Sequence, residues 1–361
     1  MDAQGGLIVI TGCSGRIGTL LSHRFLDAGF RVIGIDVIPP KFQHERQDFL
    51  KLDLSSDASV KEGFEQIKHK HGGQIASCIH LAAYYSFSGE HPELYDKITV
   101  EGTGRILKAL KEFTCEQFIF SSTQLLYAPC AVGQRINEES PIEAKWDYPK
   151  SKVKTEKLIH EMHGSIPAVI LQIAGCYDDE CHSIPISNQI ERIYEKQFEA
   201  HVYPGDLTHG APFIHLADLI DVIFLAVERR RELKDELTLL IGEETTLSYG
   251  ELQNEISHLL FGTDCATYEI PKGLAKMGAW AEEFIPSRKK GFIKPWMIDL
   301  ADDHWELDCS KAKRVLGWTP KHSVRETLPK MISFLKSNPA EFYHTNGLEL
   351  PKRLAETAGA R

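Results

Sequence analysis

The run Leu7-Ile8-Val9-Ile10-Thr11 passes straight into Gly12-Cys13-Ser14-Gly15-Arg16-Ile17-Gly18, and then into apolar residues at helical spacing, Ile17, Leu20, Leu21, Phe25 and Leu26. Strand, glycine turn, helix is a restrictive order. A plain strand-to-helix turn needs one glycine. Three glycines at Gly-x-x-Gly-x-x-Gly spacing mean that backbone must come close to something. The arrangement presents backbone N–H groups and a helix N-terminus to an anion such as a pyrophosphate. The spacing departs from the commoner Gly-x-Gly-x-x-Gly, and the position directly after an apolar strand is what gives it weight.

The rest of the first half repeats the rhythm. Strands are expected at Arg31 to Asp36, Phe49 to Leu54, Ser77 to Leu81, Gln117 to Ser121 and Ala168 to Ile173. Helices are expected from Ile17 to Ala28 with Gly29 as its cap, from after Leu54 to about Lys70, from Leu94 to Phe113 with Ile98, Ile106, Leu107 and Leu110 on one side, and from Tyr148 to Met162. Apolar strands alternating with helices predict an α/β fold, a doubly wound parallel sheet covered on both faces. After about Gly175 the rhythm changes to irregular segments rich in aromatics, Pro and His. Phe213 to Val227 reads as a short strand and a helix that return to the sheet, and Thr238 to Ile241 as another strand. The expected division is residues 1–175 as a nucleotide-binding domain joined by 213–242, with 176–212 and 243–346 as a smaller, mainly helical substrate lobe, and 347–361 as a polar tail.

Composition narrows the class. A net charge of −10 over 361 residues argues against a nucleic-acid partner. The basic runs Arg229-Arg230-Arg231 and Arg288-Lys289-Lys290 are short, flanked by acids, and read as solvated. No apolar run reaches ~18 residues, so no membrane span is expected, and the N-terminus lacks the pattern of a signal peptide. Eight scattered cysteines without a Cys-x-x-Cys pair suggest reduced thiols, a cytoplasmic protein and no metal site.

Asp36 ends the second strand, 18 residues after Gly18. A carboxylate there accepts hydrogen bonds from adenosine ribose hydroxyls and repels a 2′-phosphate, which favours NAD over NADP. Arg16 is the counter-argument, since a guanidinium suits a 2′-phosphate. Asp53, with Leu54 beside it, closes the third strand, where its carboxylate meets an adenine amino group. Downstream stands Tyr148-Pro149-Lys150-Ser151-Lys152. In a helix, Lys152 lies one turn from Tyr148 on the same face. A lysine charge there lowers a phenol's pKa from its reference near ~10, which fits the tyrosine for proton transfer near neutrality.

These residues, in this order, resemble the extended short-chain dehydrogenase/reductase family, the NAD-dependent epimerases and dehydratases. Thr11 to Gly18 resembles its nucleotide motif, His80-Leu81-Ala82-Ala83 its fourth-strand motif, and Phe120-Ser121-Ser122-Thr123 with Tyr127 its Ser/Thr segment. Phe213 to Leu219 and Leu307 to Pro320 are similar to its return segment and C-terminal signature. The resemblance implies a Rossmann-type fold and NAD as cofactor, held by Gly12, Gly15, Arg16, Ile17, Gly18, Asp36, Asp53, Leu54, Leu81, Ala82, Ala83, Tyr148 and Lys152. It implies Tyr148 as general acid/base, Lys152 on the nicotinamide ribose, and Thr123 on the reacting hydroxyl. Ser122 is the alternative, because the register of the Ser-Ser-Thr run is uncertain by one, although counting back from Tyr127 selects Thr123. A homodimer is common in the family. Tyr84 and Tyr85, at the carboxyl end of the sheet, are the favoured substrate contacts among Tyr84, Tyr85, Phe87, Trp146, Tyr177 and Trp296.

The departures bear on the reaction. Gln124 and Leu125 follow Thr123 where sugar dehydratases carry a carboxylate, so a 4,6-dehydratase or a decarboxylating enzyme is not expected. Gly175 and Ala211 stand where nucleotide-sugar epimerases place an Asn and an Arg on the diphosphate, and a third Arg has no match in 294–301. Arg192, Arg288, Lys289, Lys290 or Lys294 are candidates to substitute. Thr99 replaces the usual Asn of the proton relay. The leading expectation is an NAD-dependent epimerase of a sugar or nucleotide sugar. The alternative is a net dehydrogenase or reductase of a non-nucleotide secondary alcohol or ketone, and a non-catalytic NAD-binding sensor comes last.

Overall fold

The structure, a computed structural model, describes residues 6–41, 44–86, 91–233, 235–283 and 295–351. Seven strands form one sheet: β1 Leu7–Thr11, β2 Arg31–Asp36, β3 Gln47–Lys51, β4 Ser77–His80, β5 Phe118–Thr123, β6 Ala168–Ile173 and β7 Glu236–Ile241. Every pairing is parallel, in the order β7-β6-β5-β4-β1-β2-β3. The order reverses direction between β1 and β4, and the carboxyl ends of those strands open the crevice where ligands enter such sheets.

The strand period of two sorts β1 between two cores. Ile8 and Ile10 pack with Leu21 and Phe25 of helix α1 (Arg16–Asp27) and Leu219 and Ile223 of α6 (Leu216–Glu228). Leu7 and Val9 face the other way. They pack with Val60 and Phe64 of α2 (Asp57–His71), Ile106 and Leu110 of α3 (Glu101–Leu110), and Ile159 of α4 (Asp147–Met162). A third core lies outside the sheet. It joins α5 (Ile184–Tyr194), α7 (Tyr249–Phe261), α8 (Val324–Ser337) and α9 (Pro339–Thr345) through Ile186, Ile190, Ile256, Leu328, Met331 and Phe342. No helix among the described residues is long and apolar enough to cross a membrane.

Three expectations change. The helix expected from Leu94 to Phe113 begins with a wide π turn, Tyr95–Val100, before α3. The wide turn carries Tyr95 and Thr99 inward and leaves Ile98 only partly buried. The third strand ends at Lys51, so Asp53 sits beyond it, with its carboxylate accepting the Ser55 N–H at 2.8 Å at the start of α2. Phe213–His215 does not join the central sheet. It pairs with Gly175–Tyr177 in a separate two-stranded ribbon, and Glu236–Ile241 supplies the seventh strand instead. The tail expected over 347–361 is described only to residue 351.

Candidate active site

Gly12 holds φ +73°, and a Cβ there would meet the Ala82 backbone N at 2.9 Å. At Gly18 the added atom would stand 2.3 Å from the Gly12 carbonyl oxygen and 2.7 Å from Cys13 Cα. Both obstacles are backbone, so neither yields. α1 starts immediately afterwards at Arg16, and no side chain caps it at Gly15. Its first N–H groups therefore face a cleft of about 460 Å³ bordered by Gly12, Gly15, Arg16 and Ile17. That opening at a helix N-terminus fits a pyrophosphate. Asp36 lies at the cleft end of β2, where its carboxylate accepts the Ser14 N–H at 3.0 Å and the Val37 N–H at 2.7 Å. Arg16 reaches across the cleft to Asp178 at 3.1 Å. His182 grips the same carboxylate at 2.8 Å. These hydrogen bonds and nearby charges outweigh burial and hold Asp178 below the usual carboxylate range.

Leu81, Ala82 and Ala83 follow β4. Leu81 borders the glycine cleft and Ala83 the larger cavity beside it, while Ala82 donates its N–H to Thr11 Oγ1 at 3.2 Å. That bond opens a directed chain. The Thr103 hydroxyl gives its hydrogen to the Thr99 carbonyl at 2.6 Å, so it accepts from His80 Nε2 at 2.9 Å. Nδ1 of His80 then accepts the Thr11 hydroxyl at 2.7 Å. The network assigns this tautomer. Burial pushes the imidazole down to about 3, so it stays neutral. Leu54 is buried beneath α3, and its carbonyl accepts Arg105 Nη1 at 3.1 Å.

The larger cavity, about 1470 Å³, adjoins the glycine cleft through Ile17, Leu81, Cys176, His182, Ser183 and Ile184. Thr123, Tyr148 and Lys152 all line it. α4 begins at Asp147, with an acid in its first turn and Pro149 where a missing N–H costs nothing. Tyr148 and Lys152 are one turn apart, with Lys152 Nζ 5.7 Å from the Tyr148 ring centre. Thr123 closes β5 and accepts the Leu125 N–H at 3.3 Å, leaving its hydroxyl hydrogen for the Tyr148 oxygen. Ser122 points to the opposite side of the strand and donates to Glu156. Strand alternation thus separates the two candidates, and Thr123 is the one that meets Tyr148.

The electrostatics depart from the expected lysine-lowered phenol. Burial raises Tyr148 above the ordinary tyrosine range, against the hydrogen bond from Thr123. Burial also pushes Lys152 down to about 7, against the field of Glu156. Lys152 is 2% exposed, donates to the Ser121 carbonyl at 2.6 Å, and stands 4.6 Å over the Phe120 ring. In the protein alone, desolvation of each group outweighs the Thr123 hydrogen bond at Tyr148 and the Glu156 charge at Lys152.

Tyr85 lines the cavity with its ring edge-on to Tyr148 at 4.9 Å, whereas Tyr84 packs on Tyr95, also at 4.9 Å. Trp146 lines the cavity beside Tyr148, and Tyr177 is buried against Phe213 and His215. Phe87 and the Trp296 side chain lie outside the described residues. Sequence reasoning missed Glu156, which gathers Ser122 and Gln172 under the site, although its i,i+4 spacing from Lys152 was a visible signal. It also missed Thr345 and Asn346, which reach the glycine cleft from the end of α9, and no local pattern announces them.

The sequence model of the NAD dependent epimerase/dehydratase family matches residues 8–242. The chain is 26% identical to the UDP-glucose 4-epimerase of Streptomyces lividans, over 86% of this chain and 98% of that one. It is 22% identical to the UDP-glucuronate 4-epimerase of Thermodesulfobacterium geofontis, over 92% and 97%. The crystal structure of UDP-glucose 4-epimerase from Thermotoga maritima with UDP-glucose superposes with a TM-score of 0.68 at 20% identity, covering 92% of this chain and 99% of that chain.

Proposed function

The chain belongs to the NAD dependent epimerase/dehydratase family, and from that premise we propose that it epimerises a secondary hydroxyl carbon of a sugar or nucleotide sugar through a transient ketone. The observation that carries the reading is Tyr148, joined by Thr123 and Lys152, lining a cavity that opens directly into the glycine cleft. Gly12, Gly15, Arg16, Ile17 and Gly18 would hold the NAD pyrophosphate, with Asp36 on the adenosine ribose and Asp53 and Leu54 beside the adenine. Leu81, Ala82 and Ala83 would form the wall, and Lys152 would hold the nicotinamide ribose. Bound NAD supplies the hydride acceptor and donor that this chemistry requires.

The chain's own residues manage the proton. Tyr148 takes it from the substrate hydroxyl, and Thr123 donates a hydrogen bond that stabilises the resulting phenolate. Lys152 and Tyr148 are electrostatically coupled. A phenolate favours the ammonium form of Lys152, and the ammonium in turn holds the phenolate. The cavity exceeds the common upper range of about 1000 Å³ for small-ligand sites, which gives an oxidised sugar room to turn before Tyr148 returns the proton. Homodimerisation and a cytoplasmic location complete this reading.

A second reading, net dehydrogenation of a non-nucleotide alcohol, draws on Gly175 and Ala211 standing at the positions of the diphosphate ligands. Incubation with NAD and a panel of UDP-, GDP- and dTDP-sugars, free sugars and simple secondary alcohols separates the two. Isomerised sugar without accumulating NADH supports the epimerase. Steady NADH with an oxidised product replaces it with the dehydrogenase, and no turnover of any kind rejects both.

A further inference from the structure

Helix α5 carries two stripes. Ile186, Ile190 and Ile193 bury into the third core, while Ile184, Pro185, Asn188, Gln189 and Arg192 face the large cavity. Ile184 also borders the glycine cleft. Arg192, eight residues on, lies about 12 Å farther along the helix at 1.5 Å per residue. Three cationic side chains line this cavity among the described residues: Lys145, Lys152 and Arg192. Lys145 is paired with Asp303 at 2.6 Å and Glu143 at 3.9 Å. Lys152 is held by the Ser121 carbonyl. Arg192 has no ion pair and no side-chain hydrogen bond among the described residues. Glu191 and Glu199 act on it only through their field, and burial opposes its charge.

A guanidinium half-withdrawn from water without a partner is costly unless something arriving through the cavity completes it. Of the three cations lining the cavity among the described residues, Arg192 is the one without a hydrogen-bonded partner, and Glu199 stands beside it, which suits a ligand with a single negative charge better than the doubly charged diphosphate of a nucleotide sugar. The mouth of the cavity is apolar. Phe198, Leu274 and Met277 line it while remaining 73%, 57% and 67% exposed. Val202, Leu207 and Ile270 continue that surface inward.

We propose that Arg192 anchors the one singly charged acidic group, a phosphodiester or carboxylate, of an amphipathic substrate. Its hydroxyl-bearing end reaches Tyr148, and its apolar part leaves past Phe198, Leu274 and Met277. The inference rests on Tyr148 marking the reacting end of the cavity, and it narrows the substrate class away from nucleotide sugars.

Calorimetry on the NAD-loaded full chain tests it with decyl methyl phosphate, decanoate, decyl β-glucoside and UDP, each below its critical micelle concentration where it has one. At least one acidic decyl probe is expected to bind about tenfold tighter than the neutral glucoside and tighter than UDP. Comparison of decyl methyl phosphate with decanoate identifies which acid is preferred. Arg192→Met should remove the tenfold advantage, Arg192→Lys should keep part of it, and NAD affinity should hold within twofold in both. Tighter binding of UDP, equal binding by Arg192→Met, or no binding of either acidic probe overturns the proposal. Tyr148→Phe should bind the acidic probe normally. If that variant keeps turnover while Arg192 still governs binding, the catalytic reading fails and the anchor stands.

Discussion

At the glycine turn the contact surface is backbone, and a single methyl on Gly18 would lie 2.3 Å from a carbonyl oxygen. The large cavity next to it is surfaced by side chains from α4, α5, α7 and the segments between them. The first region permits almost no substitution. The second accepts many residues so long as volume and polarity suit the ligand. A cofactor cleft built from main chain therefore keeps one specificity, while a cavity built from side chains can be refitted without disturbing the sheet. Tyr148, Thr123 and Lys152 sit at the boundary between the two.

The sharpest way to break this contrast is at that boundary. Tyr148→Phe should lower turnover about thousandfold, as expected for loss of a general acid/base, with NAD affinity unchanged within a few-fold. Steady-state rates and NAD titration on one preparation check both halves, and retained turnover would remove Tyr148 from the chemistry. Gly18→Ala attacks the backbone side. Overpacking of about 2–3 kcal/mol should weaken NAD binding about a hundredfold or lower the melting temperature. Normal NAD binding at normal stability would mean the turn is less rigid than its geometry implies.

Proton linkage at Lys152 gives a third test. Its folded pKa, about 7, lies below the value of 10.5 for an exposed lysine. Between those values the unfolded chain binds the extra proton, so stability of the NAD-free protein rises with pH across this window. The cost of the buried charge is felt in full below about pH 7. From pH 7 to 9 the gain should be about 2 kcal/mol, seen as a higher urea midpoint relative to Lys152→Met. An identical pH slope in both proteins would show that Lys152 keeps its proton when buried. The smallest effect is expected at Asp36→Ala. Loss of one charge-assisted contact should shift the NADP-to-NAD affinity ratio about tenfold toward NADP, and an unchanged ratio would leave discrimination to Arg16.

Legibility in the sequence follows the same division. The parallel sheet was readable because strand period and the alternation with helices fix it, and local spacing placed the glycine turn on one cleft and Tyr148 and Lys152 on the cavity beside it; the preference for Thr123 came from counting back from Tyr127. The two-stranded ribbon of Phe213–His215 was misread, since three apolar residues do not announce which strand they will join. The net rise at Tyr148 was hidden for a related reason: desolvation depends on everything that encloses a group and leaves no mark on i,i+4 spacing. The uncommitted state of Arg192 was equally hidden, because it depends on which carboxylates approach from distant segments.

The chain from Ala82 through Thr11, His80 and Thr103 to Thr99 has a consequence for how this protein can vary. Each hydroxyl and ring nitrogen is committed as donor or acceptor in one direction, so the series behaves like a one-way circuit. A residue that reverses the sense at one position leaves two like groups facing each other in a water-free interior. Acceptable replacements are therefore correlated across β1, β4 and α3. A library randomising positions 11, 80 and 103 together should recover folded members that no set of single substitutions would reach.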